Sequence, residues 1–186
     1  MAKSTVMVVE DQERLADLYE TWLATEYDVR TAHTAEEAED LLDDDIDVAL
    51  LDRRLPDGSG DDVLKMIRGP RVDARVAVAM VTAVDPDFDI LEMGFDDYIV
   101  KPVTEADLHD IVEGLLDRDR YSEEIQQYYA LASKRATLES EKSADELDTS
   151  PEYDELLEDL TDLRTSLRDQ AGNLDEADYE ALFREF

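Results

Sequence analysis

The sequence predicts an α/β fold, a doubly wound five-stranded parallel sheet with helices on both faces, followed by a small all-α appendage. Three observations carry this. Strand-type and helix-type apolar patterns alternate five times within residues 1–119. The central strand segments are apolar on both alternating faces, as strands covered by helices on each side must be. After residue 119 the period-2 signal disappears and only helical spacing remains.

The elements follow in order. Thr5–Val9 (TVMVV) is an apolar, β-branched run, and residues 11–25 follow it as a helix with Leu15, Leu18 and Trp22 on the expected core face. Residues 27–31 (YDVRT) alternate like an edge strand. Thr34 then caps a helix that aligns Ala35, Ala38, Leu41 and Leu42. Residues 46–51 (IDVALL) are the third strand, and the cluster Pro56-Asp57-Gly58-Ser59-Gly60 turns the chain into a short helix carrying Val63 and Ile67. Residues 76–81 (VAVAMV) read as a central strand, residues 85–93 as a weak helix, and residues 97–100 (DYIV) as the fifth strand. Thr104 caps a final helix with Leu108, Ile111, Val112 and Leu115 inward. Five β-α units with right-handed crossovers fit the flavodoxin-like order 2-1-3-4-5.

The apolar stripe lapses at residues 118–120, so the domains are expected at 1–119 and 120–186. Tyr121, Ile125, Tyr128 and Ala132 resume helical spacing, and residues 140–150 read as a polar loop. Ser150-Pro151 starts a second long helix whose Tyr153, Leu156, Leu160, Leu163 and Leu167 form a seam of about two heptads. That seam serves either a hairpin against residues 121–132 or a surface for a homodimer or a partner protein's helix. Gly172 ends the helix, and Asn173 with Glu176 starts a last short one.

Composition narrows the function. The 186 residues include no cysteine, which excludes disulfides and thiolate chemistry. No apolar run is long enough for a membrane span, and the N-terminus lacks a signal-peptide pattern, so a cytoplasmic protein without membrane contact is expected. The net charge is −33. Residues 1–119 hold 11 basic and 32 acidic side chains, residues 120–186 hold 7 and 19, so the charge is spread evenly and does not form an acidic tail. Phosphate backbones are repelled by such a chain, which argues against direct DNA binding. Adaptation to a salt-rich cytoplasm explains the charge better than mimicry of nucleic acid, because at about 1 M salt the screening length falls to roughly 3 Å.

Chemistry concentrates at the carboxyl ends of the strands, where open parallel sheets bind ligands. Glu10 and Asp11 follow strand 1, Asp52 follows strand 3, Thr82 follows strand 4, and Lys101-Pro102 follows strand 5. Three carboxylates in one place need a counter-ion, and Mg2+ suits a few carboxylates with water and phosphate oxygens. A lysine and a threonine are poor company for a metal but suit a phosphoryl group. The set meets the needs of an aspartyl phosphate: a carboxylate nucleophile, a metal and donors for phosphoryl oxygens. His33 and His109 fall outside this set and read as surface residues.

On these residues the sequence resembles response-regulator receiver domains of two-component signalling. The matching text is VVEDQ (8–12), LLDRRLPDGSG (50–60), VTA (81–83) and DYIVKP (97–102). The resemblance implies that Asp52 accepts a phosphoryl group from a sensor histidine kinase. It implies that Asp11, Asp52 and the Arg54 backbone carbonyl ligate Mg2+, with Glu10 acting through a bound water. Thr82, Lys101 and the Ala83 backbone N–H are implied to contact phosphoryl oxygens, and Tyr98 to be the aromatic that moves with Thr82. Glu10 stands where an aspartate is more frequent, and Arg54 and Val84 occupy positions that tune self-dephosphorylation. Residues 120–186 resemble the HalX domain that follows receivers in haloarchaeal regulators. They show no helix-turn-helix signature and carry a net charge of −12, so output through a protein partner of the C-terminal helices is expected. The expected role is thus a binding switch, not a turnover enzyme.

Two alternatives differ in class. A Mg2+-dependent phosphohydrolase would use Asp52 as nucleophile but typically has a second aspartate two residues on, where Arg54 stands. A flavin or nucleotide binder would need a Ser/Thr/Gly-rich loop after strand 1, where Glu10-Asp11 stands.

Overall fold

The structure, a computed structural model, describes residues 3–70, 75–118 and 123–170. Five strands, β1 (Thr5–Val9), β2 (Asp28–Ala32), β3 (Val48–Leu51), β4 (Ala77–Thr82) and β5 (Asp97–Val100), form one all-parallel sheet in the order β2-β1-β3-β4-β5. Helices α1 (Glu13–Leu23), α2 (Ala35–Leu41), α3 (Gly60–Ile67) and α4 (Glu105–Arg118) alternate with them, and a 3-10 turn at Phe88–Glu92 replaces the weak helix expected there. α5 (Glu123–Glu141), α6 (Ala144–Asp148) and α7 (Pro151–Gln170) complete the described chain. No described helix is long and apolar enough to cross a membrane.

Chain packing defines two compact units. One comprises Met1–Asp85 with Glu92–Leu116, the other Pro86–Leu91 with Asp117–Phe186. The boundary expected at 119/120 falls on residues outside those described.

In the sheet unit, every residue of β1, β3 and β4 is buried, whereas edge strand β2 is largely half-exposed. Val6, Val8, Val48, Leu50, Ala79 and Val81 pack with Tyr19, Leu23, Leu108, Val112 and Leu115 on one face. Each buried aliphatic side chain of this kind contributes about 1.5–3 kcal/mol. Ser59 and Thr34 cap α3 and α2 by accepting from the amides of Asp62 and Glu37. Thr104 stands in the same relation to the Asp107 amide at the start of α4.

Helix α1 corrects the sequence expectation. Its fully buried stripe is Ala16, Tyr19 and Leu23, while Leu15 and Trp22 are only partly buried and Leu18 is 40% exposed. Apolar spacing fixed the helix but not its rotation, which is set by seating the Tyr19 ring against the sheet.

In the helical unit, α5 packs against α7. Tyr153, Leu156, Leu160 and Leu167 are buried and Leu163 is half-buried, so the heptad seam is spent within the chain as a hairpin. Ser150 caps α7 by accepting from the Tyr153 amide. The expected loop at 140–150 is instead the end of α5 and the short helix α6. Ser143 and Glu146 form a capping box there, and buried Leu147 anchors the turn. Tyr121 and the expected last helix from Asn173 lie outside the described residues.

Candidate functional site

The sheet's own hydrogen-bond ladder carries the site residues to one rim. Beyond the Val9–Leu51 pair, the Asp52 amide donates to the Val9 carbonyl (2.9 Å) and the Glu10 amide to the Ala32 carbonyl (3.0 Å). Beyond the Thr82–Val100 pair, the Lys101 amide donates to the Thr82 carbonyl (2.8 Å). Glu10, Asp52, Thr82 and Lys101 are thus positioned by strand ends. The Lys101–Pro102 peptide is cis.

Asp52 is the centre. It is 6% exposed and accepts from three donors: the Thr82 hydroxyl (2.8 Å) and the Arg54 amide (3.0 Å) on Oδ1, and Lys101 Nζ (2.5 Å) on Oδ2. Lys101 Nζ also donates to Glu10 Oε2. This ammonium, 9% exposed, therefore bridges two buried carboxylates. Burial pushes the Glu10 carboxyl above its usual range, a shift opposed by Lys101. Beneath the site, burial and the charges of Glu10 and Asp52 raise the Tyr19 phenol.

Asp11 lies exposed at the mouth. One carboxylate oxygen each from Glu10, Asp11 and Asp52 lies within 4.8 Å of the others. An all-oxygen, anionic donor set of this span fits a hard divalent cation. The acidic cluster expected from the sequence is therefore assembled in space, with Thr82 and Lys101 hydrogen-bonded to Asp52 and Lys101 also to Glu10.

Tyr98 is buried, and its hydroxyl donates to the Val84 carbonyl (2.7 Å). The Val84 amide in turn points at Thr82 Oγ1 (3.3 Å). Tyr98 and Thr82 are thus joined through one residue. Ala83, between them in sequence with Val84, is exposed at the rim.

Three residues were misjudged or missed. His33, expected on the surface, is half-buried with Nδ1 3.0 Å from the Glu10 carbonyl, so it braces the acidic loop. His109 is also half-buried, with Nε2 3.0 Å from the Trp22 carbonyl. Gly60 is the missed residue. A Cβ there would lie 2.3 Å from the Asp52 carbonyl oxygen, so α3 approaches the Asp52 backbone only because this position lacks a side chain. Its place in the Pro56–Gly60 turn cluster was the available signal.

A family model described as the response regulator receiver domain matches residues 6–113, and one described as the HalX domain matches residues 104–183. The chain is 47% identical over 167 residues to a "Putative transcriptional regulator" of Haloferax volcanii, covering 89% of this chain and 27% of that protein. It is 37% identical over 125 residues to the transcriptional regulatory protein CpxR of Escherichia coli K12, covering 65% of this chain and 53% of CpxR. Among solved structures it is similar to the response regulator protein TrrA of Thermotoga maritima in complex with Mg2+-BeF. That match has a TM-score of 0.53 and 26% identity, and covers 62% of this chain and 100% of that one. The chain thus spans about a quarter and about half of the two curated relatives.

Proposed function

The chain belongs to the response regulator receiver family, and we propose that it is the phosphoryl-accepting switch of a two-component system, with Asp52 as acceptor. The observation that supports this best is the triple hydrogen bonding of one buried carboxylate by Thr82, Arg54 and Lys101 beside two further carboxylates. An Asp52 oxygen attacks the phosphorus of a kinase phosphohistidine. The P–O bond forms as the P–N bond breaks, and the imidazole leaves with the electron pair and takes up a proton. Lys101 neutralises charge on the transferred group, and the Thr82 hydroxyl and Ala83 N–H donate to its oxygens.

Mg2+ is the cation this donor set would hold, through Asp11, Asp52 and the Arg54 carbonyl, with Glu10 acting through water. When bound it supplies positive charge against the carboxylates and the phosphoryl oxygens. The Mg2+-BeF complex of TrrA supports this assignment.

The sensor histidine kinase is the upstream partner. Output passes to a protein partner through the C-terminal helices and not through direct DNA contact, because the chain carries a net charge of −33. The names of the Haloferax and Escherichia relatives support transcription as the process controlled. No turnover of an external substrate is expected.

Incubation with acetyl phosphate and Mg2+ tests the acceptor. The full chain gains the mass of one HPO3 group, labile to base, and Asp52→Asn does not. Labelling of Asp52→Asn to the wild-type extent would refute it.

A further inference from the structure

The hairpin of α5 and α7 holds a groove of about 530 Å3, lined by Tyr128, Ala132, Leu157 and Leu160 with Arg135 and Arg164. Leu160 belongs to the seam that α7 spends on α5 and is 7% exposed. Leu157 lies beside that seam and is 36% exposed, so α7 has a second apolar edge that α5 does not cover. Arg135 and Arg164 are two of the seven basic side chains in residues 120–186. In a chain of net charge −33, their meeting in one apolar groove favours an occupant that is both amphipathic and acidic.

The sequence beyond α7 has that chemistry. Sixteen residues, 171–186, follow Gln170. Gly172 is a stop signal, and Asn173 with Glu176 is a start signal for a new helix. In that helix Tyr179, Leu182, Phe183 and Phe186 fall at i, i+3, i+4 and i+7, the anchor spacing of a helix laid in an apolar groove. The segment has five acidic side chains and one arginine. The HalX family model runs to residue 183, past the end of α7, so the segment belongs to the same family unit as the hairpin.

We infer that residues 173–186 return as a helix antiparallel to α7 and occupy this groove within the same chain. The lengths match. Arg164, Leu160 and Leu157 stand 6, 10 and 13 residues before Gln170, and Tyr179, Phe183 and Phe186 stand 6, 10 and 13 residues after Asn173. Both helices rise about 1.5 Å per residue. A return across the short turn Ala171-Gly172 therefore sets Tyr179 level with Arg164, Phe183 with Leu160, and Phe186 with Leu157. Asp178 and Glu180 flank the stripe at the level of Arg164. The tether also decides between occupants. A segment joined to α7 by two residues has a high effective concentration at the groove, whereas a second copy or a partner's helix must first give up its free motion. The inference does not depend on the role of Asp52.

The chain has no cysteine, so introduced pairs report proximity directly. Two double variants of the full chain are oxidised in about 1 M KCl, where self-repulsion is screened. Leu157→Cys with Phe186→Cys should form a disulfide within one chain, because the register brings the two positions together. Leu157→Cys with Asp175→Cys should not, since Asp175 lies about 16 Å further along the return helix and a disulfide needs Cα atoms within about 7 Å. A segment without the proposed register would favour the second pair, which is nearer in sequence. A second measurement needs no new bond. In Phe183→Asp, hydrogen exchange along residues 157–164 should quicken about tenfold relative to that of β4, as the groove loses its cover. Preference for the Asp175 pair overturns the inference, as does unchanged exchange in Phe183→Asp. Disulfide-linked dimers through the Leu157 and Phe186 positions assign the groove to a second copy and overturn it. No bond at either pair leaves the groove to another protein and overturns it too.

Discussion

Thr82 Oγ1 lies 2.8 Å from Asp52 Oδ1, with both side chains buried, so the resting acceptor carboxylate already occupies the hydroxyl that would serve its modified form. Thr82→Val keeps the shape and removes this donor. A net loss of about 1 kcal/mol is expected in urea unfolding, since a typical hydrogen bond is worth 0.5–1.5 kcal/mol. Acetyl phosphate should still label Asp52 in this variant.

Lys101→Met should be the most destabilising change at the rim. It leaves Glu10 and Asp52, 2% and 8% exposed at their side chains, as neighbouring buried carboxylates without a cation. Breaking a buried pair in this way costs roughly 3–5 kcal/mol. Adding MgCl2 should recover part of the loss, and should raise the melting temperature of the variant more than that of the wild type. Equal increments in the two proteins would contradict the proposed cation site.

Gly60→Ala should distort the acceptor loop from outside the chemistry. Its new Cβ would meet the Asp52 carbonyl oxygen at 2.3 Å and carbon at 2.9 Å, both backbone atoms that have no rotamer to yield. Overpacking of this kind costs about 1–3 kcal/mol. Thermal melting should fall accordingly, with weaker beryllofluoride binding as Asp52 shifts.

The helical unit carries its own pH dependence. The Tyr153 hydroxyl (2.7 Å) and Arg135 (2.9 Å) donate to Glu139 and hold its carboxyl below its ordinary value of 4.5. A depressed carboxylate adds stability above its unfolded value, and loses it as pH falls through the folded one. Glu139 is partly exposed, so the contribution is a few tenths of a kcal/mol. Glu139→Gln should therefore be slightly less stable than wild type at neutral pH by helical circular dichroism. The difference should vanish once acid protonates Glu139.

A net charge of −33 on 186 residues makes salt a stability variable. Raising KCl from low concentration to about 1 M shortens the screening length to roughly 3 Å and relieves self-repulsion. The melting temperature should rise steeply over that range. A melt independent of KCl would remove the salt-adaptation account.

The β-α alternation, the parallel order and the acidic, hydroxyl and amino residues of the rim were legible in the sequence because each is encoded locally. Buried strands are continuous apolar runs such as Val76–Val81, and the residues at their carboxyl ends are placed by topology alone. Tertiary packing decided what local patterns leave degenerate. It turned α1 so that Tyr19 is buried and Leu18 exposed, and it spent the α7 seam on α5. It brought Gly60 against the Asp52 backbone, and it set Lys142 beside Asp87 and Lys134 at the Leu91 carbonyl. A helical period fixes which residues share a face. What that face meets, and which distant side chain reaches it, depends on the minimum of free energy for the assembled chain.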